Sequence, residues 1–147
     1  DPSIMTSINN DITPRSPGMK YLHYSPKAEV IIMEGSLHHV AEKTMELLKE
    51  NSKKGLKVGV LATEQTKALY SVLKTEIPDL EIICSGDRDR PETIASQLFH
   101  ALREFDDRGV HIIFAEAIDS SGIGMAIMNR MNKAAGYKVI NADKIQE

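Results

Sequence analysis

Three observations predict an α/β domain of three layers, with a mainly parallel sheet of about five strands, preceded by an irregular extended arm. Short apolar runs recur along the chain, at residues 30–33, 58–61, 82–84, 112–115 and 139–140. They are nearly continuous in Val and Ile instead of alternating with polar residues, the pattern of strands covered on both faces, as in parallel sheets. Longer stretches between the runs repeat an apolar residue every three or four positions, the period of an amphipathic helix. Alternation of this kind implies right-handed crossovers that place helices on both faces of the sheet.

After the first run, Leu37, Val40, Ala41, Met45 and Leu48 form one apolar stripe, with Ser36 placed as N-cap and Gly55 beyond the end. Leu69, Val72 and Leu73 mark a second helix, which must stop before Pro78. The third starts near Asp89 and Pro91, carries Ile94, Leu98, Ala101, Leu102 and Phe105, and ends at Gly109. The last runs from about Gly122 through Ile127 and Met131 to Gly136. The strand after it is the weakest element.

In such sheets ligands bind outside the carboxyl ends of the strands, where strand order reverses. Four loops occupy that edge, and they supply the candidate crevice: Glu34, Gly35 and Ser36 after the first run, and Thr63 after the second. Ser85 and Asp87 follow the third, and Glu116, Gly122 and Gly124 follow the fourth. The crevice is expected between Gly35 and Gly122. The segment Ser120-Ser121-Gly122-Ile123-Gly124 opens a helix, where exposed N–H groups can cradle an anion. It lacks the Gly-x-Gly-x-x-Gly spacing and an acidic ribose partner, and glycines more often serve turns and close packing than ligands.

No metal site or catalytic group is assigned to this chain. His38 and His39 are adjacent on a helix and point about 100° apart. His38 shares a face with Glu42, but a zinc site recruits three or more ligands. His100 and His111 are isolated. Cys84 ends an apolar strand with no His placed to activate it. Asp87 invites comparison with a phosphorylated receiver domain, but Met33-Glu34-Gly35 offers only one of the two carboxylates needed after the first strand.

Apolar residues make up 41% of the 147 and charged residues 27%, with a net charge of −3, the composition of a globular protein. No apolar window is long enough to cross a bilayer, and no leader for secretion is visible. One cysteine excludes an internal disulfide framework and fits a reducing, cytoplasmic compartment. Scattered basic residues disfavour direct nucleic-acid binding.

Residues 1–28 hold four of the six prolines and no sustained apolar period, so they read as an arm ahead of a domain at 29–147. Within the arm, Ser16-Pro17-Gly18-Met19-Lys20-Tyr21-Leu22-His23-Tyr24-Ser25-Pro26 is too rich in proline for a helix and too rich in donors for a spacer. Lys20, Tyr21, His23 and Tyr24 can all offer a proton or charge to an anion.

That tract resembles the interdomain linker of the two-domain threonylcarbamoyl-AMP synthases, whose pattern runs roughly Ser-Pro-Gly-Met-Lys-Tyr-Arg-His-Tyr-Ala-Pro. Leu22 departs from it, standing where the family carries a basic residue. Glu116, Gly122, Gly124, Met128, Asn129 and Arg130 match the family's Glu...Gly-x-Gly-x-Ala-x-Met-Asn-Arg tract. The resemblance implies a C-terminal Rossmann-like domain with its runs ordered 3-2-1-4-5, joined by the linker to an N-terminal YrdC-like catalytic domain. It implies a parent enzyme that uses ATP and magnesium to condense L-threonine and bicarbonate into threonylcarbamoyl-adenylate and pyrophosphate, for tRNA modification. Lys20, Tyr21, His23 and Tyr24 would form a lid over that active site, and this chain alone would be inert. The alternative is a non-catalytic module that senses a nucleotide or contacts another protein.

Overall fold

The computed structural model describes residues 24–144. Strand β1 (Glu29–Glu34) leads to α1 (Leu37–Lys53), β2 (Val58–Ala62) and α2 (Lys67–Ser71), which tightens into a 3-10 turn (Val72–Thr75). Then follow β3 (Glu81–Cys84), α3 (Pro91–Asp107), β4 (Ile112–Glu116), α4 (Ile123–Ala134) and β5 (Val139–Asn141). All strand pairings are parallel.

The sheet order is β3-β2-β4-β1-β5, which corrects the expected 3-2-1-4-5: β4 lies between β2 and β1. Burial explains the exchange. A central strand must be covered along its whole length, and β4 is buried at all five positions. Strand β1 begins and ends in exposed glutamates, so it takes the flanking place beside the three-residue β5. Strands β1 and β4 are neighbours in either order, so their loops still meet at the carboxyl edge.

From β1 to β2 to β3 the chain moves one way across the sheet, and from β3 to β4 to β5 it moves back. With crossovers of one hand, this reversal sends α1 and α2 to one face and α3 and α4 to the other. The core divides accordingly. Val40, Leu48, Tyr70 and Leu73 pack on Val58, Val60 and Phe114, whereas Leu98, Leu102, Phe105, Ile127 and Met131 pack on Val30, Ile32 and Ile113. Each fully buried Leu, Ile or Phe contributes about 1.5–3 kcal/mol.

The stripe expected for α3 is buried at all five positions. That expected for α2 is buried only at Leu73: Leu69 is 49% and Val72 68% exposed, while Tyr70 is fully buried. The helix turns about its axis relative to the apolar reading because the Tyr70 hydroxyl finds a partner inside. A hydroxyl with a buried acceptor is as welcome in a core as an aliphatic side chain.

Candidate functional site at the carboxyl edge of the sheet

Glu116 ends β4 with only 3% of its surface exposed, a position where a lone carboxylate would be costly. Its two oxygens collect donors from three elements. Oε1 accepts from the hydroxyls of Thr63, at 3.1 Å, and Thr66, at 2.8 Å, and from Arg88 Nη2, at 3.1 Å. Oε2 accepts from the Tyr70 hydroxyl at 2.6 Å. Arg88 Nε also donates to Thr63 Oγ1 at 3.1 Å, so the guanidinium is held at two of its nitrogens. Burial, followed by the charge of Glu116 and the bond to it, pushes the Tyr70 hydroxyl pKa well up; it stays a donor at every physiological pH.

Beside this network lies a cleft of about 420 Å³. Glu34 and Gly35 line it from the end of β1, Arg88 from the loop after β3, residues 117–120 from the loop after β4, and Met128 and Asn132 from α4. The predicted crevice residues therefore separate into groups. Glu34 and Gly35 face the cleft, and Glu116 and Thr63 lie buried behind Arg88. Ser36, Ser85 and Asp87 are occupied elsewhere. The Ser36 amide and hydroxyl donate to Asp143, and the Ser85 hydroxyl donates to the Ala62 carbonyl, stitching β3 to β2. Asp87 accepts from Gln65 Nε2 at 2.7 Å, which holds its carboxyl below the usual range.

Gly122 and Gly124 shape the loop and do not line the cleft. Gly122 has φ +58°, a conformation side chains resist. A Cβ on Gly124 would stand 1.9 Å from the Asp119 carbonyl oxygen, so only glycine lets the first turn of α4 close on this loop.

The remaining polar residues make local contacts. His38 and Glu42 stand 3.8 Å apart, both exposed. His39 Nδ1 lies 2.7 Å from Asp143; that bond, with those from Ser36, lowers the Asp143 pKa. His111 Nδ1 accepts from the Lys57 amide, and burial raises the Cys84 thiol pKa. Among the described residues no three His, Cys, Asp or Glu side chains converge as a metal site, and no helix is long and apolar enough to cross a membrane.

Of the four linker residues, Lys20, Tyr21 and His23 lie outside the described residues, as does Leu22. Tyr24 packs beside α3. Its hydroxyl donates to Asp106 Oδ2 at 2.5 Å, its ring lies 6.4 Å from that of Phe99, and the Arg103 guanidinium sits 5.6 Å from the ring centre. Asp106 also accepts from the amides of Lys27 and Ala28. One carboxylate thus gathers the end of the arm where it enters β1. Burial and the bond to Asp106 raise the Tyr24 pKa.

Residues 3–136 match the family model described as threonylcarbamoyl-AMP synthase, C-terminal domain. This chain belongs to that family. It is 45% identical over 127 residues to the threonylcarbamoyl-AMP synthase of Bacillus subtilis, a match that takes in 86% of this chain and 34% of the relative. The synthase of Pyrococcus abyssi is 41% identical, again over 34% of its length. The chain therefore spans about a third of the curated relatives it matches. Among solved structures, P. abyssi Sua5 complexed with L-threonine aligns with a TM-score of 0.68 at 40% identity, over 88% of this chain and 34% of that one. A C-terminal Sua5 domain from Pyrococcus horikoshii aligns at 0.59 and 37% identity, over 80% of this chain and 99% of that one. The matched span includes residues 16–26 and 116–130, which carry the resemblance read from the sequence.

Arg88, Tyr70 and Asp106, which carry most of the geometry above, have little signature in the sequence. The alternating charges of Asp87-Arg88-Asp89-Arg90 mark a polar loop at the carboxyl edge without saying which side chain turns inward.

Proposed function

We propose that this chain is the linker and accessory C-terminal domain of a threonylcarbamoyl-AMP synthase, whose adenylation chemistry belongs to an N-terminal YrdC-like domain outside the present sequence. The observation that carries this reading is the extent of the match. The family model matches arm and domain together, yet the matches span only about a third of each curated relative. The parent enzyme condenses L-threonine, bicarbonate and ATP, with magnesium, in the cytoplasm, and its product serves tRNA modification. This domain contributes no catalytic group.

In that reaction negative charge builds on the departing pyrophosphate, and the product is a mixed anhydride that water destroys. Donors laid over the leaving group lower the barrier, and closure keeps water out. Lys20, Tyr21 and His23 supply such donors, and Tyr24 fixes the base of the same segment to α3. The domain thereby serves as the footing of a lid. In the test, the 147-residue chain and the full-length protein each receive ATP, L-threonine, bicarbonate and magnesium. Pyrophosphate appears only with the full-length protein; release by the chain alone would overturn the reading.

A further inference from the structure

We propose that the cleft between the ends of β1 and β4 binds a small α-amino acid as its zwitterion, with the carboxylate on Arg88 and the ammonium against Glu34 and Asp119.

The guanidinium is the first argument. It carries five N–H donors. One, on Nε, serves Thr63 and one, on Nη2, serves Glu116, which leaves three without a protein acceptor among the described residues. Arg88 lines the cleft, so these donors are available to a carboxylate in the bidentate manner that arginine favours. The buried pairing behind it makes poor sense as a device for stability alone, since replacing such pairs with apolar residues is often neutral or stabilising. What the Thr63, Thr66, Tyr70 and Glu116 network does accomplish is to hold one guanidinium in place at the cleft.

Charge chooses the ligand class. Around the cleft, Arg88 stands against Glu116, Glu34 and Asp119, one positive charge against three negative. The edge is therefore net negative and repels a polyanion such as a nucleotide, whereas a zwitterion brings its own ammonium for the two carboxylates that Arg88 does not hold. An ammonium is attracted. Among the described residues the Glu34 carboxylate makes no hydrogen bond or ion pair, and the Asp119 carboxylate accepts only from the Ser121 amide. Glu34, Asp119 and Arg88 line the same cleft of about 420 Å³, so one small ligand with an anionic and a cationic end, such as an α-amino acid, can meet both kinds of charge. Ile118 and Met128 offer apolar walls, and Ser120 and Asn132 offer hydrogen bonds to a small side chain.

The test is calorimetry on the full 147-residue chain with L-threonine, L-serine and glycine, alongside AMP, an N-acetyl amino acid and an amino-acid amide. At least one free amino acid gives saturable heat. Blocking either its amine or its carboxylate weakens binding at least about tenfold, as does Glu34→Gln, which lies on the surface and leaves the melting temperature unchanged. No saturable heat with any free amino acid overturns the proposal, as does equal binding of the N-acetyl form or preference for AMP. No turnover is measured, so failure here leaves the pyrophosphate test of the lid untouched, and the reverse also holds.

Discussion

Two carboxylates organise opposite edges of this sheet, and they do it differently. Glu116, at the carboxyl edge, is buried and draws its donors from the loop after β2, from α2 and from the loop after β3. Asp106, at the end of α3 near the amino edge, is half-buried and draws its donors from the end of the arm. The first ties the domain to itself and fixes a guanidinium at a cleft. The second ties something else to the domain. A strand of five or six residues separates the edges, roughly 17–20 Å, so the footing of the arm and the cleft are independent places on one scaffold.

Substitution should expose that difference in size and in kind. Glu116→Ala has the largest expected effect, because it leaves three buried hydroxyls and the half-buried Arg88 without their acceptor; a loss of about 3–5 kcal/mol is expected in denaturant unfolding. A loss under 1 kcal/mol would mean that water replaces the carboxylate freely and that the edge is less closed than its geometry implies. Tyr70→Phe removes one donor and costs about 1–3 kcal/mol. It also carries a pH signature. The folded state holds the Tyr70 proton more tightly than the unfolded chain does, so the stability it contributes is complete below about pH 10 and declines as pH rises beyond. The Phe variant should show a shallower alkaline decline than the parent; equal slopes would remove Tyr70 as its source.

Asp106→Ala should act locally. A cost of about 1–2 kcal/mol is expected, with faster proteolytic cleavage near Pro26 while the sheet domain keeps its cooperative melt. Unaltered cleavage would show that the arm is held by something other than Asp106. The smallest effect lies between α1 and the turn after β5. Asp143 has a lowered pKa, so what it contributes is present above about pH 4 and fades as pH falls further. The protection factor of the Ser36 amide, its exchange rate corrected for the intrinsic pH dependence, should fall on that acid side, and Asp143→Asn should remove that change.

Much of the scaffold was legible because it depends on periodicity. Ile94, Leu98, Ala101, Leu102 and Phe105 read as one face and pack as one face. Strand order was not legible in the same way. Which strand sits in the centre depends on which can be covered along its whole length, and β1 is disqualified by Glu29 and Glu34 at its ends. The α2 stripe held only at Leu73, for a related reason: an apolar count favours Leu69 and Val72 as well, but Tyr70 wins the interior through a hydroxyl contact with a residue 46 positions away. At the site, loop position alone identified Glu34, Gly35, Thr63 and Glu116. Arg88 and Asp106 depend on side-chain direction across long sequence separations, which one-dimensional spacing does not encode. The linker tract is recognisable from its residue order alone, whereas the bond from Tyr24 to Asp106 spans 82 positions.

The most direct test of the account concerns the lid. In the full-length enzyme, the linker variant Lys20→Ala/Tyr21→Phe/His23→Ala should melt at the parent temperature yet release pyrophosphate at least about tenfold more slowly at saturating substrates, as expected when donors to a departing anion are removed. An unchanged rate at an unchanged melting temperature would contradict it, leaving the arm as a tether and nothing more.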